Sequence, residues 1–294
     1  MSAMRGLRQI AGRRKSAREI PPLIGNSSAM VRIKRLAAQV ARTDSTVLIT
    51  GETGVGKEVV ARIIHHSSDL RDKIFLPVNC GTIPETLLES QLFGQAEGAA
   101  EEESAAEGFF HRARGGTIFL DGMSELTPRL QVILLRAIEN KEILPLGAVD
   151  AIEVDVRIIA ASSQDLGAAV EQGRFREDLF YRLNGFAIDI PPLRDRREDI
   201  PPLVEYLVRR HNQHLERSYR GVDDETLQIL MSLPLRGNVR ELHHLIEYAM
   251  IVGDGEWVRP SNLPPGIQPD PDQEGAAWGD HYASARQRLL KSES

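Results

Sequence analysis

The sequence predicts an α/β domain, a parallel β-sheet covered by helices on both faces, followed by a small all-helical unit. Three observations carry that expectation. Short β-branched runs alternate with stretches of helical periodicity as far as Pro192. A glycine-rich loop separates the first such run from the helix after it. Beyond Pro191-Pro192 the strand signals stop and helical patterns take over.

In order, Thr46 to Thr50 (TVLIT) reads as the first strand, and Glu58 to His66 (EVVARIIHH) has apolar residues at helical spacing. Ile74 to Asn79 and Thr117 to Asp121 read as the second and third strands, Val154 to Ala161 as the fourth and Phe186 to Ile190 as the fifth. Leu130 to Asn140 is the clearest intervening helix. The terminal unit has helices over Ile200 to Leu215, Asp224 to Ser232 and Val239 to Val252, with Asp223 or Asp224 as cap of the second and Asn238 as cap of the third. Pro260 to Ala277 is rich in Pro, Gly and Asp and reads as a linker, and Tyr282 to Leu290 as one short helix. The expected organisation is a tail over 1–21, the α/β domain over 22–194, the helical unit over 195–259, and linker and tail over 260–294.

At 294 residues and 41% apolar content, the chain can bury a substantial core in one large domain or two smaller ones. The net charge of −6 argues against a broad cationic nucleic-acid surface. Arg5, Arg8, Arg13, Arg14, Lys15 and Arg18 make a local basic arm, but no aromatic residues interleave them for base stacking, so the arm reads as a solvated tail. No run approaches the ~20 apolar residues that span a bilayer, and the first residues lack the apolar stretch of a signal peptide. A cytoplasmic protein without membrane contact is expected. The single Cys80 has no cysteine partner for a disulfide or a zinc site and reads as a small packed residue.

The loop Gly51-Glu52-Thr53-Gly54-Val55-Gly56-Lys57-Glu58 lies between a strand and a helix, the context in which a glycine-rich segment holds phosphate. Gly51, Gly54 and Gly56 let successive backbone N–H groups turn toward one point, and the helix N-terminus adds positive potential there. Lys57 reaches the terminal phosphates. Glu58 follows, where the general pattern has a Ser or Thr that binds magnesium; Thr53 offers a hydroxyl without assured geometry for that task. The expected ligands are ATP and Mg²⁺.

Around the loop GETGVGKE stand four further stretches in order: VNCGTIPETLLESQLFG (78–94), GGTIFLD (115–121), FREDLFYRLNGFAIDIPPLRDRREDI (175–200) and RGNVREL (236–242). From about Pro22 to Pro265 the chain resembles the central ATPase domain of bacterial sigma-54-dependent transcription activators, a branch of the AAA+ superfamily. The resemblance implies an AAA+ P-loop NTPase with a parallel-sheet core and a small all-α lid. It also implies a ring, usually hexameric, in which ATP binds between neighbouring subunits and its hydrolysis remodels sigma-54 RNA polymerase. It assigns Asp121 to magnesium, at a strand end where a carboxylate can meet the metal bridging the phosphates. Arg176 and Arg182 match the family's arginine fingers, which reach the neighbour's ATP; an ordinary helix salt bridge, with Glu177 and Asp178 nearby, is the other reading of either. Arg240 matches the arginine by which the lid senses nucleotide, and Asn79 the residue that restrains the catalytic glutamate.

Three positions depart from the pattern. Gly122 stands where the family has the glutamate that polarises the attacking water, and glycine has no group to accept a proton. General-base catalysis contributes about 10²- to 10⁴-fold, so hydrolysis is expected to be weak or absent where binding survives. Glu125 corresponds to a glutamate that active members carry besides the catalytic one, and a structural role is expected for it. The GAFTGA loop, whose Phe and Thr touch sigma-54, is replaced by Gly98-Ala99-Ala100-Glu101-Glu102-Glu103 in a hydrated acidic stretch bounded by Glu97 and Glu107. That stretch meets a basic partner or is merely solvated. Ser163 takes the place of a sensor Asn, and a hydroxyl cannot reproduce an amide's simultaneous donor and acceptor.

The expectation is therefore an ATP-binding AAA+ transcription-regulatory protein of the sigma-54 activator type, a pseudo-ATPase in a ring with copies of itself or a paralogous subunit. It touches the transcription machinery through protein contacts, and no DNA-binding domain is visible in the sequence. The alternative is an active AAA+ ATPase that remodels a different protein target; a decaying gene product is a third reading.

Overall fold

A computed structural model describes residues 22–96 and 107–267. The basic arm, the run Gly98 to Glu103 and the helix expected over Tyr282 to Leu290 lie outside the described residues.

In chain order the strands of the first unit are β1 (Val47–Thr50), β2 (Phe75–Asn79), β3 (Thr117–Asp121), β4 (Glu142–Ile143), β5 (Ile152–Glu153), β6 (Arg157–Ser162) and β7 (Phe186–Asp189). Five of them form one sheet in the order β2-β3-β6-β1-β7, and every neighbouring pair is parallel. The fourth expected strand starts later than its apolar pattern suggested. Ile152–Glu153 turns back to pair antiparallel with Glu142–Ile143, and the main ladder begins only at Arg157.

The period of two along each strand sends alternate side chains to opposite faces. Val47, Ile49 and Phe119 join a core with Met30, Ile33 and Ala37 of α1 (Ser28–Val40) and Val60, Ala61 and Ile64 of α2 (Lys57–His66). Leu48, Ile118 and Leu120 face the other way, into a core with α3 (Glu85–Phe93), α4 (Phe109–Arg112), α5 (Pro128–Asn140), α6 (Leu166–Glu171) and α7 (Glu177–Leu183). Local chemistry starts these helices. The Ser27 hydroxyl accepts from Met30 N–H at the head of α1, and Thr127 caps α5 just before Pro128.

The second unit packs α8 (Ile200–Leu215), α9 (Asp224–Ser232) and α10 (Asn238–Val252) around their own apolar core, with a short parallel pair, β8 (Gly221–Val222) and β9 (Trp257–Val258), at one end. Asp223, not Asp224, caps α9, its Oδ1 accepting from Thr226 N–H at 2.8 Å. Asn238 does not cap α10. It is the helix's own first residue, at a φ of 54°, and its side chain reaches across to the other unit. Leu263 and Ile267 are buried in the helical core, so the segment read as linker from Pro260 still packs at Ile267.

The register places Thr50 opposite Ser162, and Asp121 opposite Ala161. The carboxyl ends of β1, β3 and β6 thus share one edge, where open α/β sheets hold their ligands.

Candidate functional site

A cavity of about 680 Å³ opens at that edge, between the sheet and the helical unit. Its floor is the glycine-rich loop. Gly51, Gly54 and Gly56 have φ of 138°, 82° and 109°, a region that side chains rarely adopt, so the loop's path depends on glycine. At Gly54 the crowding is severe as well: a β-carbon would lie 2.2 Å from the Gly237 carbonyl oxygen. Val239 N–H donates to Gly54 O at 3.0 Å, so the first turn of α10 rests directly on the loop backbone. Gly56 begins α2 without any side-chain cap, which leaves the helix's first amides available to an anion in the cavity.

Lys57 is 7% exposed, and its ammonium donates to Gly51 O at 2.8 Å and Glu52 O at 3.2 Å. Burial holds its pKa below the ordinary lysine value; Asp121 opposes that shift and Arg240 adds to it. Thr53, Gly54, Gly56, Lys57 and Glu58 line the cavity from the loop, Asp121 from the end of β3, and Arg240 from α10. Val55 and the Glu52 carboxylate also tie the loop to the scaffold. Val55 is buried and its carbonyl accepts from Arg196 at 3.0 Å, while the Glu52 carboxylate forms a bidentate pair with Arg194. These donors suit a polyphosphate with a divalent cation: uncapped amides and an ammonium for the anion, a half-buried carboxylate for the metal.

Arg176 and Arg182 are not part of the cavity wall. Arg176 precedes α7 and is held by Asp178 at 2.6 Å; Arg182, at the end of α7, meets Glu139 at 3.1 Å. Both make salt bridges, the second with a partner on α5 that sequence proximity did not suggest.

Gly122 follows Asp121 with φ 84° and ψ 41°. Ser163 lines the cavity beside it, and the Asn79 side-chain oxygen nearby accepts from Gly81 N–H at 3.1 Å. Glu125, expected to be structural, also lines this cavity.

Sequence reasoning missed the opposite wall. It comprises Pro22 and Ile24 before α1, Leu203, Tyr206, Leu207 and Arg210 of α8, and His243 of α10. The His243 ring lies 4.7 Å from that of His211, and burial pushes its pKa below the usual histidine value, with Glu247 opposing that shift and Arg210 adding to it. Asp199 positions the first part of this wall, accepting from Asn26 N–H at 2.6 Å, Ser27 N–H at 2.8 Å and the Ser27 hydroxyl at 2.6 Å. The partners lie 172 and 173 residues apart, so no local pattern announces them.

The model of the family described as Sigma-54 interaction domain matches residues 23–189. The chain belongs to this family. In this sigma-54 interaction domain protein, a second family, the AAA+ ATPase lid domain, accounts for residues 194–278. The chain is 46% identical over 251 residues to a putative uric acid sigma-54-dependent transcriptional regulator, UacR, of Escherichia coli (strain K12), covering 84% of this chain and 42% of the relative. It is 42% identical over 250 residues to the transcriptional regulatory protein ZraR of Klebsiella oxytoca, covering 85% of this chain and 56% of the relative. The chain thus spans about half the length of these relatives. Among solved structures, NtrX from Brucella abortus in complex with ATP superposes with a TM-score of 0.80 at 31% identity, over 98% of this chain and 64% of that one. Hsp104 of S. cerevisiae shares the fold alone, with a TM-score of 0.58 at 16% identity. The parallel-sheet core and helical unit of this family member are an AAA+ domain and its lid.

Proposed function

We propose that this protein is an AAA+ transcription regulator of the sigma-54 activator type that binds ATP with Mg²⁺ and hydrolyses it poorly. The observation that carries the reading is one cavity in which the uncapped loop amides, Lys57 and Asp121 converge while the position beside Asp121 is a glycine. The loop amides and Lys57 hold the phosphates, Asp121 the metal, and Arg240 joins from the lid. Mg²⁺ supplies neutralising charge on the phosphate oxygens. ATP bound to the relative NtrX supports the ligand assignment.

The rest of the reading concerns partners. Arg176 and Arg182 are exposed, and in a ring they leave Asp178 and Glu139 to reach the nucleotide of a neighbouring subunit. The neighbour is another copy or a paralogous AAA+ subunit. Without the aromatic tip of GAFTGA, the acidic run does not dock on sigma-54 as other members do, and regulation passes through another protein contact in the cytoplasm.

Calorimetry with ATP·Mg²⁺ and a phosphate-release assay test the proposal together. Binding by the wild type, its loss in Lys57→Ala, and turnover at least tenfold below that of a sigma-54 activator with the glutamate, run in parallel, are expected; a tenfold loss is about 1.4 kcal/mol of transition-state stabilisation. Absence of ATP binding overturns the reading. Turnover equal to the activator's favours the alternative, a working ATPase with another protein target. That alternative needs another carboxylate, or a group of the protein target, to orient the water.

A further inference from the structure

The segment after Asp121 is a single 3₁₀ turn, Met123–Glu125, with Gly122 at its head. Glu125 N–H donates to Gly122 O at 3.0 Å, closing the turn tightly. The turn brings the side chain at 125 back beside position 122. The atoms agree: a β-carbon built on Gly122 would lie 3.7 Å from Glu125 Cγ. One built on Gly81 would lie 3.5 Å from both Glu125 Cγ and Asn79 Oδ1, so the Glu125 stem and the Asn79 amide converge on one point. Met123 and Leu126 are buried on either side, which fixes the turn beneath an exposed carboxylate.

Among the described residues, three acidic ones line the cavity: Glu58, Asp121 and Glu125. Glu58 is engaged by Arg62 at 2.6 Å and 2.9 Å, and Asp121 sits at the strand end assigned to the metal. Glu125 has no cationic partner among the described residues; its one contact is the Ser124 hydroxyl, which donates to Oε1 at 3.2 Å and leaves Oε2 open.

We propose that Glu125 is the proton acceptor for the slow ATP hydrolysis of this protein, standing in for the carboxylate absent at Gly122. The inference rests on the ATP-binding reading above. The water oxygen bonds to the γ-phosphorus, the bond from that phosphorus to the β–γ bridging oxygen breaks, and ADP leaves with the bond's electron pair. The proton released by the water passes to the Glu125 carboxylate and from there to solvent or phosphate. Reaching from the turn and not from position 122 itself, this carboxylate is less well placed, so slow turnover is expected instead of none.

The test compares wild type, Glu125→Gln, Glu125→Asp and Lys57→Ala in single-turnover hydrolysis, with ATP, ADP and ADP–aluminium fluoride affinities measured alongside. Glu125→Gln is expected to lose at least about tenfold in rate and to weaken ADP–aluminium fluoride, which mimics the phosphate under attack, while ATP and ADP bind as before. Glu125→Asp, which keeps the carboxylate on a shorter stem, falls between the two. A Glu125→Gln rate equal to wild type, or wild-type turnover no higher than that of Lys57→Ala, overturns the inference and leaves ATP binding standing. Loss of ATP affinity in both Glu125 variants overturns it in favour of a structural role. Failure of the wild type to bind ATP removes the proposed function as well.

Discussion

Glu52 and Arg194 form a two-pronged ion pair across the junction of core and lid: Arg194 donates from Nη1 to Oε2 at 2.8 Å and from Nη2 to Oε1 at 2.7 Å. The Arg194 hydrogen bonds first, and that from Asn238 second, hold the Glu52 pKa down from 4.5 to about 2. A carboxylate with a depressed folded pKa stabilises the fold above its unfolded pKa and loses that contribution as pH falls. Thermal unfolding should therefore show wild type more stable than Glu52→Gln near neutrality. The gap should close between pH 4.5 and about 2. Because the pair is partly exposed the gap is small and shrinks in high salt; a gap that persists unchanged at pH 2 would count against the assignment.

Asn238 ties three segments together. Its Oδ1 accepts from the buried Leu193 N–H at 2.7 Å, and its Nδ2 donates to Glu52 Oε2 at 3.1 Å and Thr53 O at 3.0 Å. Loop, connector and lid helix are thus read by one amide. Asn238→Ala strands the Leu193 N–H, at a cost of about 1–3 kcal/mol, and adds backbone strain of about 1–2 kcal/mol at the left-handed φ. Asn238→Gly removes the same contacts without the strain. Both are expected to bind ATP more weakly in calorimetry, with the alanine variant melting lower; equal melting would show that the φ carries no strain.

How legible was this in the sequence? The features written in a single stretch were readable. Thr117–Asp121 was found at its expected bounds because TIFLD is a buried strand on both faces, and α8 at its own because its apolar period runs from Ile200 to Val208 and His211 carries the buried face on toward Leu215. The glycine spacing around Lys57 announced the loop. Features written across the chain were not readable. An Asn before a helix reads as a cap, and only the fold shows that Asn238 has turned left-handed to face Glu52. Glu125 was expected to be structural; that it also lines the cavity follows from the 3₁₀ turn that Gly122 opens, a backbone fact that no side-chain pattern carries.

Asp199 offers a prediction about the cavity's far wall. Fully buried, it gathers the amides of Asn26 and Ser27 and the Ser27 hydroxyl. Gly25 lets the chain pass so close that a β-carbon there would lie 2.9 Å from the Asp199 carboxyl carbon. Asp199→Ala leaves these donors unpaired and is expected to cost about 3 kcal/mol in chemical denaturation. It also frees Pro22 and Ile24 from that wall, so ATP affinity is expected to fall with it. Stability lost with ATP affinity unchanged would show that those two residues do not touch the ligand.

Restoring a glutamate at Gly122 separates chemistry from strain. At φ 84° and ψ 41° any side chain costs about 1–2 kcal/mol, and its β-carbon would sit 3.3 Å from Gly81 N, a tight contact. Gly122→Ala bears that cost without a carboxylate, so it and Gly122→Glu should lose similar amounts of melting temperature. Only Gly122→Glu should gain turnover, by about 10²-fold or more if general-base catalysis is recovered, with ATP affinity little changed. Both carboxylates would then serve the same water, so Glu125→Gln should cost less in the Gly122→Glu background than in wild type, a non-additivity read from a double-mutant cycle of hydrolysis rates. Strict additivity would place the two groups on independent tasks. A Gly122→Glu protein that melts like Gly122→Ala yet gains no turnover would mean that the turn at 122 holds the new side chain out of reach of the phosphates.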